Sequence, residues 1–147
     1  MVKIISIANQ KGGVGKTTTS VNLSASLVAY KKRVLLIDLD PQGNATMGSG
    51  INKQSCNLSV YHILTGKNST VEAIVHSDSG KYDVLPANRD LVAAEVELMK
   101  EIGREARLKI ALDEVEENYD YIIIDCPPTL NMLTVNALVA SEGVIIP

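Results

Sequence analysis

Short apolar runs alternate with amphipathic segments along this chain. Runs rich in Ile, Leu and Val predict buried strands at residues 3–8, 34–37, 82–85, 121–124 and 144–147. Between them, apolar residues recur at helical spacing, which predicts helices at residues 16–30, 58–65, 70–76, 88–100, 104–117 and 130–140. Residues 41–57 are rich in Gly, Asn, Ser and Gln and predict a loop. The alternation favours an α/β fold, in which a mostly parallel sheet is flanked by helices.

Composition narrows the functional classes. The 147 residues suit one domain of ordinary size, and 46% apolar with 21% charged residues is typical of a globular protein. The chain has no Trp or Phe and only five Tyr, so we expect an aliphatic core without stacking platforms for single-stranded nucleic acid. A net charge of −3 argues against a protein that binds nucleic acid mainly through its own positive charge.

Cysteine use and hydropathy suggest the compartment. Cys56 and Cys126 are too few and too far apart for a disulfide framework or a cysteine-rich metal site. The apolar run at the start is too short for a secretory signal, and no apolar stretch approaches transmembrane length. We therefore expect a cytoplasmic protein with no membrane partner.

A glycine-rich turn joins the first predicted strand to the first predicted helix. It is Lys11-Gly-Gly-Val-Gly-Lys-Thr-Thr18, and its position allows successive backbone N–H groups to surround an anion. Glycines are needed where the turn is tightest, because they lack a Cβ. Lys16 can then reach the β- and γ-phosphates of a nucleotide, and the Thr17 hydroxyl can ligate Mg²⁺. The turn therefore predicts a phosphate-binding loop.

The start of this turn departs from the standard phosphate-loop pattern. Gln10 stands where the pattern has its first glycine, and Lys11 is an additional lysine. A dinucleotide-binding turn fits less well, because it requires a glycine where Thr18 stands. A glycine-rich turn with its lysines in solvent is the other alternative. The strand before the turn and the helix after it favour phosphate binding.

Three aspartates lie at the ends of predicted strands, Asp38 and Asp40 after the second and Asp125 after the Ile-rich run. Ligands of open parallel sheets bind at the carboxyl ends of the strands. Mg²⁺ takes oxygen ligands and keeps several waters, so one or two carboxylates near the phosphates suffice. An aspartate beside the γ-phosphate can also orient an attacking water. The alternative is that each Asp only caps a turn. The presence of three such aspartates together with a phosphate loop instead favours a role in binding magnesium or orienting water.

Three segments, in this order, resemble the nucleotide motifs of the ParA family of deviant Walker A ATPases. They are Lys11–Thr18, Leu36-Ile-Asp-Leu-Asp-Pro-Gln-Gly-Asn44 and Ile122-Ile-Ile-Asp-Cys-Pro-Pro128. Within the family the chain is most similar to the chromosomal Soj type, over essentially its whole length. The resemblance implies a P-loop NTPase fold and an ATPase that binds Mg-ATP and dimerises with ATP sandwiched between the subunits. It further implies that hydrolysis to ADP and phosphate drives chromosome or plasmid partitioning.

The resemblance also implies roles for single residues. The implied catalytic residues are Lys11, which reaches across the dimer to the other subunit's phosphates, Lys16, and Asp40, which positions the hydrolytic water. The implied ATP-binding residues are Lys11, Gly12, Gly13, Val14, Gly15, Lys16, Thr17 and Thr18. The implied magnesium residues are Thr17, Asp38 and Asp125, of which the two aspartates act through bound waters.

Partners follow from the same resemblance. It implies an ATP-dependent homodimer, a ParB-type centromere-binding protein, and non-specific DNA bound through a part of family members that lies beyond Pro147. It therefore implies that residues 1–147 are the N-terminal part of a single nucleotide-binding domain, with the sheet truncated on its C-terminal side, in a nucleoid-associated protein. Two alternatives stay open: a MinD-like membrane-cycling ATPase, and a truncated, non-catalytic remnant of a ParA protein.

Overall fold

The computed structural model describes residues 1–8 and 15–147. In these residues, six strands are β1 (Lys3–Ile7), β2 (Val34–Asp38), β3 (Val75–His76), β4 (Asp83–Leu85), β5 (Tyr121–Asp125) and β6 (Gly143–Ile145). The α-helices are α1 (Lys16–Ala29), α2 (Asn44–Gly48), α3 (Val60–Leu64), α4 (Thr70–Ala73), α5 (Leu91–Leu98), α6 (Arg107–Asp113) and α7 (Met132–Ala140). Short 3-10 turns lie at Lys53–Ser55, Arg104–Ala106 and Glu116–Asn118.

The strands form one sheet in the order β3-β4-β2-β5-β1-β6. Each neighbouring pair is parallel except β3 with β4, which confirms the predicted α/β fold with a mostly parallel sheet. β5 lies between β2 and β1, so Asp125 pairs in register with Asp38 on one side and Ile7 on the other. Parallel strands end at the same edge of the sheet, and this carboxyl edge therefore collects the ends of β1, β2 and β5 and the residues that follow β2 and β5.

Helices cover both faces of the sheet, which is why its strands are almost uniformly apolar. Successive side chains point to opposite faces. Leu36 and Ile123 face one layer together with apolar residues of α1. Ile37 and Ile124 face the other, where α3, α5, α6 and α7 supply the remaining core residues. All four of these strand residues are fully buried.

The predicted loop at residues 41–57 is wrong in part, because it contains helix α2 and a 3-10 turn at Lys53–Ser55. Its polar composition does not indicate helix α2, whose N-cap Gly43 has a φ of 69° in the left-handed region. Thr46 and Ala45 of this helix are fully buried. Their burial depends on neighbours distant in sequence, which the local pattern does not reveal.

Two other predicted helices are shorter than expected. The helix predicted for residues 70–76 ends at Ala73, and Val75–His76 form strand β3 instead. Both residues of β3 are exposed, so pairing with β4 rather than burial holds the strand in place. The helix predicted for residues 104–117 is divided into a 3-10 turn, α6 and a second 3-10 turn. Within the described parts of the chain, no helix is long and apolar enough to cross a membrane.

Candidate functional site

The N-terminus of α1 lies at the carboxyl edge of the sheet. Gly15 precedes the helix with φ 78° and supplies no side-chain cap, and the first helical bond runs from Thr19 N to Gly15 O at 2.8 Å. A Cβ at Gly15 would meet no atom within 4 Å, so the requirement for glycine here is conformational and not steric. Gly15 itself provides no side-chain cap, and a helix N-terminus carries N–H groups and partial positive charge, which suit an anion.

Lys16, the first residue of α1, is held between two carboxylates. Its Nζ lies 3.5 Å from Asp125 Oδ1 and 4.0 Å from Asp40 Oδ2. The side chains of Lys16 and Asp40 are 8% and 9% exposed, and that of Asp125 is fully buried. The low dielectric around these buried side chains strengthens the attraction between their charges. The two carboxylates therefore hold the Lys16 ammonium close to the carboxyl edge of the sheet.

Asp125 is the centre of the site. The Thr17 hydroxyl donates to its Oδ2 at 3.2 Å, and the Ser20 hydroxyl donates to its Oδ1 at 2.7 Å. Burial raises the pKa of Asp125, while the charge of Lys16 and the bonds from Ser20 and Thr17 act in the opposite direction. One turn of α1 thus delivers a cation and two hydroxyls to one carboxylate.

Ser20 contributes a contact that lies outside the three sequence motifs. It is fully buried, and its position three residues after Thr17 places both hydroxyls on the same face of α1. The available signal was a serine at a buried position of a helix, together with Ser24 one turn later. A polar residue at such a position needs a partner, and for Ser20 that partner is Asp125.

Asp38 is turned toward its own loop. Its Oδ1 accepts from Asp40 N at 3.0 Å, and its Oδ2 accepts from Thr46 N at 2.9 Å and from the Thr46 hydroxyl at 2.8 Å. Burial, and next the charge of Asp125, raise the pKa of Asp38 to about 7. Among the described residues, no hydrogen bond or ion pair joins Asp38 to Lys16 or Thr17, so its role toward magnesium stays a prediction.

A cavity of about 490 Å³ opens over these groups and is lined by Gly15, Lys16, Thr17, Thr18, Asp40, Gln42, Asn44 and Pro128. Asp40 is fixed at its wall because its Oδ1 accepts from Gln42 N at 3.0 Å. The other predicted site residues, Lys11, Gly12, Gly13 and Val14, lie outside the described residues. In residues 1–8 and 15–147, no three His, Cys, Asp or Glu side chains cluster as a metal site would require.

The sheet order and the helix at its carboxyl edge define a P-loop NTPase fold. The model of the AAA domain family (AAA_31) matches residues 2–147. Sporulation initiation inhibitor protein Soj of Bacillus subtilis is 57% identical over 147 residues, which are 100% of this chain and 58% of that protein. Chromosome partitioning protein ParA of Caulobacter vibrioides is 47% identical, covering 99% of this chain and 55% of that protein. The chain belongs to the AAA domain family, and over its whole length it is similar in sequence to the Soj and ParA proteins.

A solved structure gives the same fold. Cobyrinic acid a,c-diamide synthase from Mycobacterium smegmatis, with bound ATP analog and magnesium, matches with a TM-score of 0.98 and 44% identity. The match covers 100% of this chain and 60% of that one, and the same protein has a second structure with bound ADP and magnesium. The chain spans a little over half the length of the curated relatives it matches.

Proposed function

We propose that residues 1–147 form the N-terminal part of the nucleotide-binding domain of a ParA/Soj-type ATPase, a switch that drives chromosome or plasmid partitioning. The observation that carries this proposal is the convergence of Lys16 and Thr17 on Asp125, at 3.5 Å and 3.2 Å. A lysine, a hydroxyl and a carboxylate at a helix N-terminus form a site for a phosphate chain with a hard cation. The similarity to Soj and ParA supports the partition branch of the family.

The residues present fit both ATP and Mg²⁺. In this proposal Lys16 provides a cation for the β- and γ-phosphates, and Thr18, which lines the same cavity, is assigned to the α-phosphate. The Thr17 hydroxyl and Asp125 are hard oxygen donors 3.2 Å apart, one for direct ligation and one to hold a metal-bound water. Bound Mg²⁺ supplies neutralisation of the phosphate charge, and the small number of protein oxygens suits a cation that keeps several waters.

Asp40 is the residue that we propose to position the hydrolytic water. Its carboxylate lies at the cavity wall, 4.0 Å from Lys16 Nζ, and its backbone is tied to Asp38 by a 3.0 Å bond. A carboxylate held in this way can accept a hydrogen bond from a water and orient it toward the γ-phosphate. In this proposal Lys16 therefore binds phosphate, and Asp40 orients the hydrolytic water.

Hydrolysis in this proposal is linked to assembly. A cation supplied by a second subunit can accelerate phosphoryl transfer on the order of 10³- to 10⁵-fold. The partner subunit's Lys11 is that cation in our proposal, with Gly12 allowing the two loops to approach. The whole protein then forms an ATP-dependent homodimer, binds DNA without sequence preference, and is stimulated by a ParB-type protein. These partners are proposed for the longer protein and not for residues 1–147 alone.

Titration calorimetry with ATP and MgCl₂ tests the nucleotide site. We expect saturable binding by the folded chain, weakened when EDTA removes Mg²⁺. Absence of binding by a protein with a cooperative melting transition would overturn the proposal. Phosphate release measured over a range of protein concentrations tests the assembly step, because a rate per subunit that does not rise with concentration contradicts a cation supplied in trans.

A further inference from the structure

Thr46 joins the carboxylates of the site to a loop that does not line the cavity. It lies in α2, is fully buried, and donates its hydroxyl to Asp38 Oδ2 at 2.8 Å. The same hydroxyl oxygen accepts from Ala87 N at 3.0 Å. Ala87 belongs to the loop between β4 and α5, residues 86–90, which we name the β4–α5 loop. One hydroxyl group therefore bridges a site aspartate and a segment 41 residues away in sequence.

The bridge continues a chain of contacts that begins at Lys16. Lys16 pairs with Asp125 and Asp40, and Asp38 accepts from the backbone N–H of Asp40. Asp125 also pairs in register with Asp38, and its carbonyl accepts from Leu39 N at 2.9 Å. These contacts connect Lys16 and Asp40 directly to the segment that holds Asp38.

The far end of the bridge leads to two helices. Pro86, next to Ala87, accepts at its carbonyl from Val60 N at 2.8 Å, which ties the loop to the start of α3. The loop runs directly into α5, whose outer face carries the exposed apolar side chains Val92 and Val96, 62% and 61% exposed. Gly43, just before α2, also lies close to this loop, since a Cβ added there would stand 3.1 Å from the Ala87 carbonyl oxygen.

We infer that Thr46 is a positioning residue that transmits occupation of the nucleotide cavity to the β4–α5 loop and to helix α5. The route is a contiguous series of hydrogen bonds and ion pairs from Lys16 through Asp40 and Asp38 to Thr46 and Ala87. A coupling of this kind requires that both ends bias one shared element, and α2 with its Thr46 hydroxyl is that element. The inference rests on the proposed function, because nucleotide is the signal that it transmits.

The test compares amide spectra of wild type and three variants with and without Mg-ATP or Mg-ADP. In wild type we expect shifts both in the cavity residues and in residues 86–98. In Thr46→Val, which keeps the shape but removes the hydroxyl, we expect the cavity shifts to persist and those of residues 86–98 to fall at least threefold. Thr46→Ser keeps the hydroxyl, so we expect it to restore the wild-type pattern.

Ser49→Ala is the matched control. Ser49 is a second buried hydroxyl immediately after α2, but it donates to Ala45 O and contacts Tyr82 instead of Asp38. We expect its nucleotide-induced shifts to match wild type. Wild type that binds nucleotide without shifts in residues 86–98 overturns the role of Thr46 but leaves the proposed function standing. Folded wild type that binds no nucleotide overturns both, and this outcome needs no variant to fold.

Discussion

The Ser20 hydroxyl donates to Asp125 Oδ1 at 2.7 Å, half an ångström closer than the Thr17 hydroxyl approaches Oδ2 of the same carboxylate. Both donors stand on one face of α1, three residues apart. The carboxylate is therefore fixed by the helix before any ligand is considered, and its orientation toward Lys16 is set by the same turn.

Ser20→Ala should reduce the stability of the fold. A hydrogen bond to a charged group contributes about 1.5–3 kcal/mol, and its loss leaves a buried carboxylate with one donor fewer. Urea unfolding measures this change. Ser24→Ala is the matched control, because Ser24 is equally buried in α1 but donates to the Ser20 carbonyl, at 2.8 Å, and not to Asp125. Equal losses of unfolding free energy in the two variants would show that the Ser20 bond to Asp125 stabilises the fold no more than the Ser24 bond to a carbonyl.

Lys16→Ala should weaken nucleotide binding about tenfold or more. Removing a charged donor to phosphate costs about 1.5–3 kcal/mol or more, which corresponds to at least roughly a tenfold loss of affinity. Calorimetry with Mg-ATP measures it, and Lys109→Ala provides an exposed lysine as control. Affinity within a factor of two of wild type would exclude Lys16 from the phosphate site.

Asp40→Ala should separate binding from hydrolysis. The variant keeps Lys16 and Thr17, so Mg-ATP binding should persist within a few fold, whereas loss of water positioning should slow turnover on the order of 10²-fold or more. Phosphate release under single-turnover conditions, in the full-length protein with its DNA and ParB-type partners, measures the slow step. A normal hydrolysis rate would assign the water to another group.

Asp38 should make the fold less stable as the pH rises from about 4 to about 7. Its pKa in the folded state is about 7 and its ordinary value is 3.8, so the folded state binds more protons in this window. That contribution is fully present below about pH 4 and is lost as the pH rises through 7. Unfolding free energies of Asp38→Asn should lack this change with pH, which in wild type totals on the order of a few kcal/mol across the window.

A control for the pH experiment is Asp120→Asn. Arg33 holds the pKa of Asp120 at about 2 through a side-chain hydrogen bond, and the stabilisation it gives is lost only as the pH falls from about 4 through 2. Between pH 4 and 7 this variant should follow wild type. A slope that survives Asp38→Asn but disappears in Asp120→Asn would contradict the assignment to Asp38.

Gly43→Ala should destabilise the turn that begins α2. Its φ of 69° costs an L-residue about 1–2 kcal/mol, and the added Cβ would stand 2.7 Å from Lys53 Cδ and 3.1 Å from Ala87 O. Gly103→Ala is the matched control, because φ is 70° but no atom lies within 4 Å of the added Cβ. Thermal unfolding should therefore show a larger loss of stability for Gly43→Ala than for Gly103→Ala. Equal losses would mean that Lys53 and Ala87 move away from the added Cβ without destabilising the fold.

The sequence predicted the strands that build the site better than the loops around them. The central strand β5 contains a continuous apolar run, Ile122, Ile123 and Ile124. A run of this kind is typical of a strand that is buried on both faces, so the sequence alone predicts it. Helix α2 was missed because its burial arises from contacts across the fold, such as Thr46 with Ala87. The orientation of Asp38 was missed for the same reason. A motif identifies a carboxylate at a strand end, but only the packed loop determines which donors it meets.

Asp38 and Asp125 are the terminal residues of adjacent strands and are paired in register. Their backbones are consequently separated by the spacing of a parallel sheet, about 4.8 Å, which main-chain hydrogen bonds maintain. Strand pairing therefore sets the distance between the two carboxylate-bearing positions, whereas the segment after β2 supplies the donors that orient the Asp38 side chain. For protein engineering, the pair is a fixed anchor onto which different loop chemistries can be grafted.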